Sequence, residues 1–292
     1  MSPQIKKIIK KWLAGIAYGL YRHQVLPSRI RVNSVEETLN VLLTTEKSMV
    51  RFGDGEIVVI NGRNIPTQAG NEEIAEGLKR ILGFHHENLI VTLPDIFGDL
   101  NIYVPASQDF WKDHLLFFRH VYQKFCDLDK AYYNTSVTRG YITYADKSGS
   151  GNIFRRFREV WKDRKIVVVE GCTTHNGVGN DLLDQAKEVK RIICPSRNAY
   201  RVLERILKEC LRYEKDILFL LSVGITAKFL AEELFLKGYR VLDIGNLDME
   251  YEWYLCGAVT KEPILKHQVI GEQANREAGY DQYLKEIVCY IE

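Results

Sequence analysis

The chain has no pair of cysteines at CxxC spacing. Its six cysteines, Cys126, Cys172, Cys194, Cys210, Cys256 and Cys289, are scattered through 292 residues, which argues against a zinc site or a disulfide framework and suits a reducing cytosol. No apolar run approaches the roughly 20 residues that span a bilayer. The N-terminus lacks the unbroken hydrophobic stretch and cleavage site of a secretory signal, so a cytoplasmic location is expected. Charge of one sign is also missing: the net value is +2, too small a field to demand nucleic acid, and no nucleic-acid partner is expected. There is no internal repeat and no low-complexity tract. No Gly-Lys-Ser/Thr follows a glycine loop, no clean GxGxxG occurs, and no Ser/His/Asp or Cys/His set can be assembled from the spacing.

What is present is the composition of a globular protein. Hydrophobic residues make up 46% and charged residues 27%, enough for a sizeable core. Residues 4–22 read as an amphipathic helix. Ile5, Ile8, Ile9, Trp12, Leu13, Ile16 and Leu20 recur at i, i+3, i+4 spacing, with Lys6, Lys7, Lys10 and Lys11 on the other side and Pro27 near its end. Two readings are open: a helix lying on an anionic membrane surface, or one docked on the protein itself or on a partner. The lysine clustering tips the reading toward the membrane.

Ser34-Val35-Glu36-Glu37 has capping-box spacing and predicts a helix to about Thr45. A strand over 48–52 leads into Gly53-Asp54-Gly55-Glu56. Asn71 is expected to cap a helix running to Leu82, and 88–93 to form a second buried strand that ends at Pro94 and Asp95. Residues 107–126 read as a long helix whose aromatic residues face a core. The polar stretch 132–148 reads as irregular, and Ser148–Gly151 as a flexible joint. The second half alternates. Strands are expected at Lys165–Val169, Arg191–Cys194, Ile217–Val223 and Arg240–Ile244. Helices are expected at Asn180–Lys187, Asn198–Leu211 and Thr226–Leu236, the last closed by Gly238. Solid apolar strands alternating with helices predict an α/β fold with a parallel sheet covered on both faces.

Chemistry in such folds gathers where the strands end. Asp54 and Glu56 are two hard oxygen donors suited to Mg²⁺ or Mn²⁺, although by itself the pair reads as a solvated Asp-Gly turn. The loop Glu170–Asp181 contains Gly171, Gly177 and Gly179. With a helix behind it, its backbone N–H groups suit a phosphate, and a plain glycine turn capped by Asn180 is the alternative. Ser222–Thr226 passes from strand to helix through Gly224. Asp243, Asp248, Glu250 and Glu252 crowd a segment interleaved with Tyr251, Trp253 and Tyr254, which predicts partly buried acids with cations or donors beside them. His175 and Cys172 read as loop residues.

The motifs RFGDGE, PDIFG, TRGYITYADKS, VEG…GVGNDL, CPSRNAY and GYRVLDIGNLDMEYEWYL occur in this order. Together they resemble the GT-D-type glycosyltransferases, the former DUF1792 group, over about residues 34–257. The resemblance implies a Rossmann-like α/β domain of GT-D type at 28–292, behind a basic helical segment at 1–27. It implies a UDP-linked sugar donor, and Mn²⁺ or Mg²⁺ held by Asp54 and Glu56. The donor site would draw on Arg51, Gly53, Arg139, Gly171, Thr174, His175, Gly177, Gly179, Asn180 and Gly224. The acceptor would be a bacterial surface glycan or glycopeptide, with a lipid-linked acceptor at the inner leaflet a further expectation. A carboxylate base is expected among Asp95, Asp248 and Glu250. The chain departs from the family pattern at Gly140, His175, Ile225 and Asn246. A non-catalytic nucleotide-binding subunit of an assembly complex is the alternative.

Overall fold

Ile166–Val169 is apolar without a break because both of its faces are covered. In this computed structural model Ile166 and Val168 enter one core, Val167 and Val169 enter another, and all four are buried. A strand in that position has no solvent face to mark with polar residues.

The structure describes residues 2–23, 25, 30–267 and 278–292. In chain order these form α1 (Pro3–Arg22), β1 (Arg31–Val32), α2 (Val35–Thr44), β2 (Ser48–Arg51), α3 (Asp54–Ile60), α4 (Glu72–Leu82) and β3 (Leu89–Leu93). There follow α5 (Pro105–Phe125), β4 (Ala131–Asn134), α6 (Ser150–Glu159), β5 (Lys165–Gly171), β6 (Glu188–Cys194), α7 (Leu203–Cys210) and β7 (Leu218–Ser222). The last are α8 (Thr226–Leu236), β8 (Arg240–Asp243), α9 (Leu247–Leu255), α10 (Tyr280–Glu286) and β9 (Ile287–Tyr290).

The nine strands among the described residues form one sheet in the order β1-β4-β3-β2-β8-β7-β5-β6-β9. Every pairing is parallel. All carboxyl ends therefore lie along a single rim. The two halves meet where β2 pairs with β8, with Met49 opposite Leu242. One core holds Val50, Leu93, Val167 and Phe219 with the apolar faces of α3, α4 and α8. The other holds Met49, Ile90, Val168 and Leu220 with those of α2, α6 and α9.

Local signals act as their spacing predicts. Ser34 Oγ accepts from Glu37 N at 3.1 Å, and Glu37 Oε2 accepts from Ser34 N at 2.8 Å, closing the capping box of α2. Asn71 Oδ1 accepts from Ile74 N at 2.8 Å and caps α4.

Other segments differ from expectation. No helix forms at Asn180–Lys187, which folds as successive turns and bends. Asn180 Oδ1 accepts from Leu182 N at 3.0 Å, and the Asp181 carboxylate is held by Tyr251 and Arg158. Short polar side chains bonded in this way compete with the helical ladder. The polar stretch after residue 131 contains strand β4, and Ser148–Gly151 passes through a turn directly into α6, which begins at Ser150 with Gly149 as its N-cap. Asn198–Leu211 divides into a 3₁₀ turn at Ala199–Val202 and the shorter α7. On α5, Phe118 and Tyr122 are core residues, whereas Phe110 and Phe117 stay exposed. Pro27 lies outside the described residues.

Candidate active site at the carboxyl rim of the sheet

The segments leaving β2, β3, β4, β5, β6, β7 and β8 all reach one cavity of about 530 Å³. Its floor is a buried ionic cluster. Lys228, on the first turn of α8, places Nζ 2.8 Å from Glu56 Oε1 and 3.0 Å from Asp243 Oδ2. Arg51 donates its backbone N–H to Asp243 Oδ2 at 3.3 Å, with Nη1 3.9 Å from Asp243 Oδ1. Burial alone would raise the Glu56 carboxyl, but the Lys228 charge and the Gly53 N–H outweigh it and hold it below the usual range. Burial alone would lower the Lys228 ammonium, but Asp243 and Glu56 outweigh it and keep it raised. Gly245 is required against this cluster. Its φ is +50°, and a Cβ there would lie 1.8 Å from Arg51 Nη1.

Asp54 and Glu56 do not lie in an open turn. They open α3, and side chains two apart on a helix do not face each other. Glu56 turns back, so that Oε2 accepts from Gly53 N at 2.7 Å while Oε1 meets Lys228. Asp54 lines the same cavity half-exposed, and its carboxylate makes no hydrogen bond or ion pair with the described residues. Among those residues no group of three His, Cys, Asp or Glu is arranged to hold an ion. A protein cage is not needed where one or two carboxylates, water and substrate phosphates complete the shell. Asp54 fits that role with free lone pairs, whereas Glu56 already has an ammonium against it. Across the cavity, Arg139 extends from the turn after β4, and its Nε is buried without a hydrogen-bond partner among the described residues.

The loop after β5 is divided. Gly171 and Thr174 line the cavity, with Thr173 and Ser196 joined through their hydroxyls at 2.8 Å. The remainder turns away. His175 is buried against Tyr280 and Tyr283, with Nδ1 on the Lys266 carbonyl. Gly177 N and Asn180 Nδ2 both donate to Asp248 Oδ1 at 2.8 Å. His175, Gly177, Gly179 and Asn180 are not among the cavity-lining residues. No helix stands behind this loop to add its N-terminus, because Asn180–Lys187 is not helical.

The three candidate bases have different surroundings. Asp248 is fully buried, with Lys266 Nζ and His267 Nε2 each 2.8 Å from Oδ2. Against the upward effect of burial, the His267 bond and the Lys266 charge bring its pKa down to about 2, so it holds a proton poorly. Glu250 is buried, with Oε2 accepting from Ile142 N at 3.0 Å and Tyr141 N at 3.3 Å, and burial raises its pKa. Asp95 is half-buried beside Pro94, which lines the cavity, and its carboxylate has no hydrogen-bond partner among the described residues. Burial raises it too.

Of the residues expected at the site, Arg51, Gly53, Asp54, Glu56, Arg139, Gly171, Thr174 and Gly224 line the cavity. Asp95, Asp248 and Glu250 stand outside that lining. Sequence reasoning gave no site role to Lys228, Ser196, Asn198, Ser222 and Asn246, which do line it. Four of these lie on or just after a strand end, a position that was itself a signal. Lys228 had another: it is a lone cation between Ala227 and Phe229 in a helix that is otherwise apolar at this end, and such a buried charge needs a partner.

The profile described as "Glycosyltransferase GT-D fold" matches residues 49–273. The chain belongs to the GT-D glycosyltransferase family. Two curated relatives are streptococcal. "Glycosyltransferase GlyD" of Streptococcus pneumoniae serotype 4 (strain ATCC BAA-334 / TIGR4) is 41% identical over 233 residues, 80% of this chain and 28% of that protein. "Probable glycosyl transferase Gly" of Streptococcus gordonii is 42% identical over 236 residues, 80% of this chain and 34% of that protein. The chain thus spans about a third of the length of the curated relatives it matches. A solved glycosyltransferase (DUF1792) from Streptococcus sanguinis superposes with a TM-score of 0.82 at 38% identity, covering 90% of this chain and 100% of its own. A second structure, described as domain of unknown function 1792 with a distinct glycosyltransferase fold, gives 0.84 at 37% identity, covering 91% and 97%. The GT-D match begins after α1 and α2, so the N-terminal helix precedes it.

Proposed function

We propose that this chain transfers a glycosyl group from a UDP-linked sugar to a bacterial surface glycan or glycopeptide, working at the cytoplasmic face of the membrane on a lipid-linked acceptor. The observation that carries the proposal is the pairing, in one rim cavity of a GT-D chain, of Asp54, a carboxylate uncommitted among the described residues, with Arg139, whose buried Nε has no hydrogen-bond partner among them. Such a site suits a diphosphate, which brings negative charge for Arg139 and oxygens to share with a cation on Asp54.

In the reaction the bond from the anomeric carbon to the diphosphate breaks, and a bond to the acceptor oxygen forms. Arg139 takes a phosphate oxygen and stabilises the charge that grows there as the nucleotide leaves. Asp54 would hold Mn²⁺ or Mg²⁺, which when bound would supply further neutralisation of the same charge. Glu56 serves through Lys228, keeping that ammonium fixed at the cavity floor. Thr173, Ser196, Asn198 and Ser222 offer hydroxyl and amide groups for the sugar and nucleoside. The acceptor hydroxyl gives its proton to Asp95, the one of the three candidate carboxylates without a hydrogen bond and beside the cavity.

A panel of UDP-sugars with Mn²⁺ and glycan acceptors tests the proposal, read as UDP release and as labelled product. Release and transfer with at least one donor are expected. UDP binding without turnover for any donor and acceptor would replace the enzyme by a nucleotide-binding subunit.

A further inference from the structure

We propose that α1 lies on the surface of an anionic lipid bilayer through its exposed apolar stripe, and so holds the cavity at the membrane that carries the acceptor. The second clause rests on the glycosyl-transfer reading above; the first does not.

A surface helix normally turns its apolar stripe toward the body it packs on. Here α1 is inverted. It meets α5 with its small and polar face: Ala14 is buried, Lys11 Nζ lies 2.7 Å from Asp109 Oδ2, and Lys10 Nζ lies 2.8 Å from Asp113 Oδ2. The Tyr18 hydroxyl donates to the Gly98 carbonyl at 3.1 Å and accepts from Leu100 N at 2.9 Å. The guanidinium of Arg119 stacks 3.4 Å from the Tyr21 ring centre. Outward point Ile5, Ile8, Ile9, Trp12, Ile16 and Leu20, each with 38–68% of its surface exposed. A continuous apolar patch of this kind marks an interaction site.

Charge identifies the occupant. Residues 2–22 carry Lys6, Lys7, Lys10, Lys11 and Arg22 and no acid, while the whole chain is only +2; Lys10, Lys11 and Arg22 pair with Asp113, Asp109 and Asp99, and Lys6 and Lys7 make no ion pair among the described residues. The rest of the chain is therefore three charges negative, and the positive charge is concentrated on the helix with the apolar stripe. Anionic headgroups complement that face, whereas two copies packed stripe to stripe would set cation against cation. The helix does not cross the bilayer, since none in the described residues is long and apolar enough. It fits a position in the interface plane, with its stripe roughly 5–10 Å below the headgroups. Because Lys10 and Lys11 are spent on α5, the stripe carries the binding and Lys6 and Lys7 tune it.

The seat is linked to the cavity wall. Trp111 of α5 lines the cavity, and the segment Gly98–Leu100 clasped by Tyr18 leads from β3 toward Tyr103 on the same wall. A glycan on a lipid carrier in that bilayer would reach the cavity from this side.

The test uses the full chain with vesicles of phosphatidylcholine, alone or mixed with phosphatidylglycerol, read by co-sedimentation and by Trp12 fluorescence against a Trp12→Phe reference. Binding to the mixed vesicles with a blue shift of Trp12 is expected, and Ile8→Ser/Trp12→Ser/Ile16→Ser should weaken it at least about tenfold. UDP binding in solution should not change, because none of these residues touches the cavity. No vesicle binding, or equal binding by the triple variant, would overturn the proposal. A concentration-dependent dimer abolished by the same variant would also overturn it and give the stripe to a second copy. Vesicle binding with no faster glycosylation of a lipid-borne acceptor than of the same soluble glycan would remove the acceptor clause.

Discussion

Lys228 Nζ sits 2.8 Å from Glu56 Oε1, beneath the cavity and almost closed to solvent. The acid expected to hold a metal ion thus already holds a protein cation. Removing one partner would leave the others buried and unbalanced. Lys228→Met should cost about 3–5 kcal/mol of stability, the usual result of breaking a buried ion pair. Adding Glu56→Gln should restore part of that loss, because one of the stranded charges is then gone. Urea denaturation of the two variants measures both; equal stability of Lys228→Met and the parent would remove the cluster's structural role.

Asp54 has the opposite character. It is partly exposed and makes no hydrogen bond or ion pair among the described residues, so Asp54→Asn should leave stability within about 0.5 kcal/mol. UDP release should nevertheless fall on the order of a hundredfold, as when one stabilising group is taken from a developing anion. Unchanged turnover at saturating Mn²⁺ would exclude Asp54 from the site.

Arg139 is expected to act on the nucleotide rather than on the fold. Arg139→Ala should weaken UDP binding about 10- to 100-fold in calorimetry, the value of one or two charge-assisted hydrogen bonds. Arg139→Lys should recover only part of it, because a point charge does not reproduce the guanidinium fork.

The Asp95 carboxyl is raised by burial, and a base must be deprotonated to work. Activity should therefore rise with pH along an acid limb displaced above the ordinary aspartate range. Asp95→Asn should abolish that limb together with transfer, while UDP affinity remains. An unaltered pH profile in the variant would give the proton to another group.

Asp248 couples folding to acid. Its pKa is lowered to about 2 in the folded chain, so its contribution to stability is complete above the unfolded value of about 3.9 and disappears as pH falls toward 2. In Asp248→Asn that dependence should vanish over the same window, with a lower stability at neutral pH because Lys266 and His267 lose their partner. Denaturation midpoints at stepped pH values give the comparison.

The periodicity of the chain determined by itself that a parallel sheet exists, that its central strands are buried on both faces, and that α2 and α4 begin at Ser34 and Asn71. The two caps depend on neighbours a few residues away, and local bonding settles them, while the sheet showed itself in the unbroken apolar runs that burial on both faces requires. Strand ends also marked the cavity, since Arg51, Asp54, Arg139, Gly171 and Gly224 all reach it. Only the tertiary structure decided which charge meets which. Arg51 finds Asp243 at a separation of 192 residues, and the meeting depends on β8 entering the sheet beside β2. The helix expected after the glycine loop failed for the same reason: Asn180 and Asp181 are claimed by acids and bases from α9 and α6. The orientation of α1 was likewise open, because a helix with one apolar and one basic face can dock by either. In the structure Lys10 and Lys11 meet Asp113 and Asp109 of α5 in exposed ion pairs, and the apolar stripe is left outside.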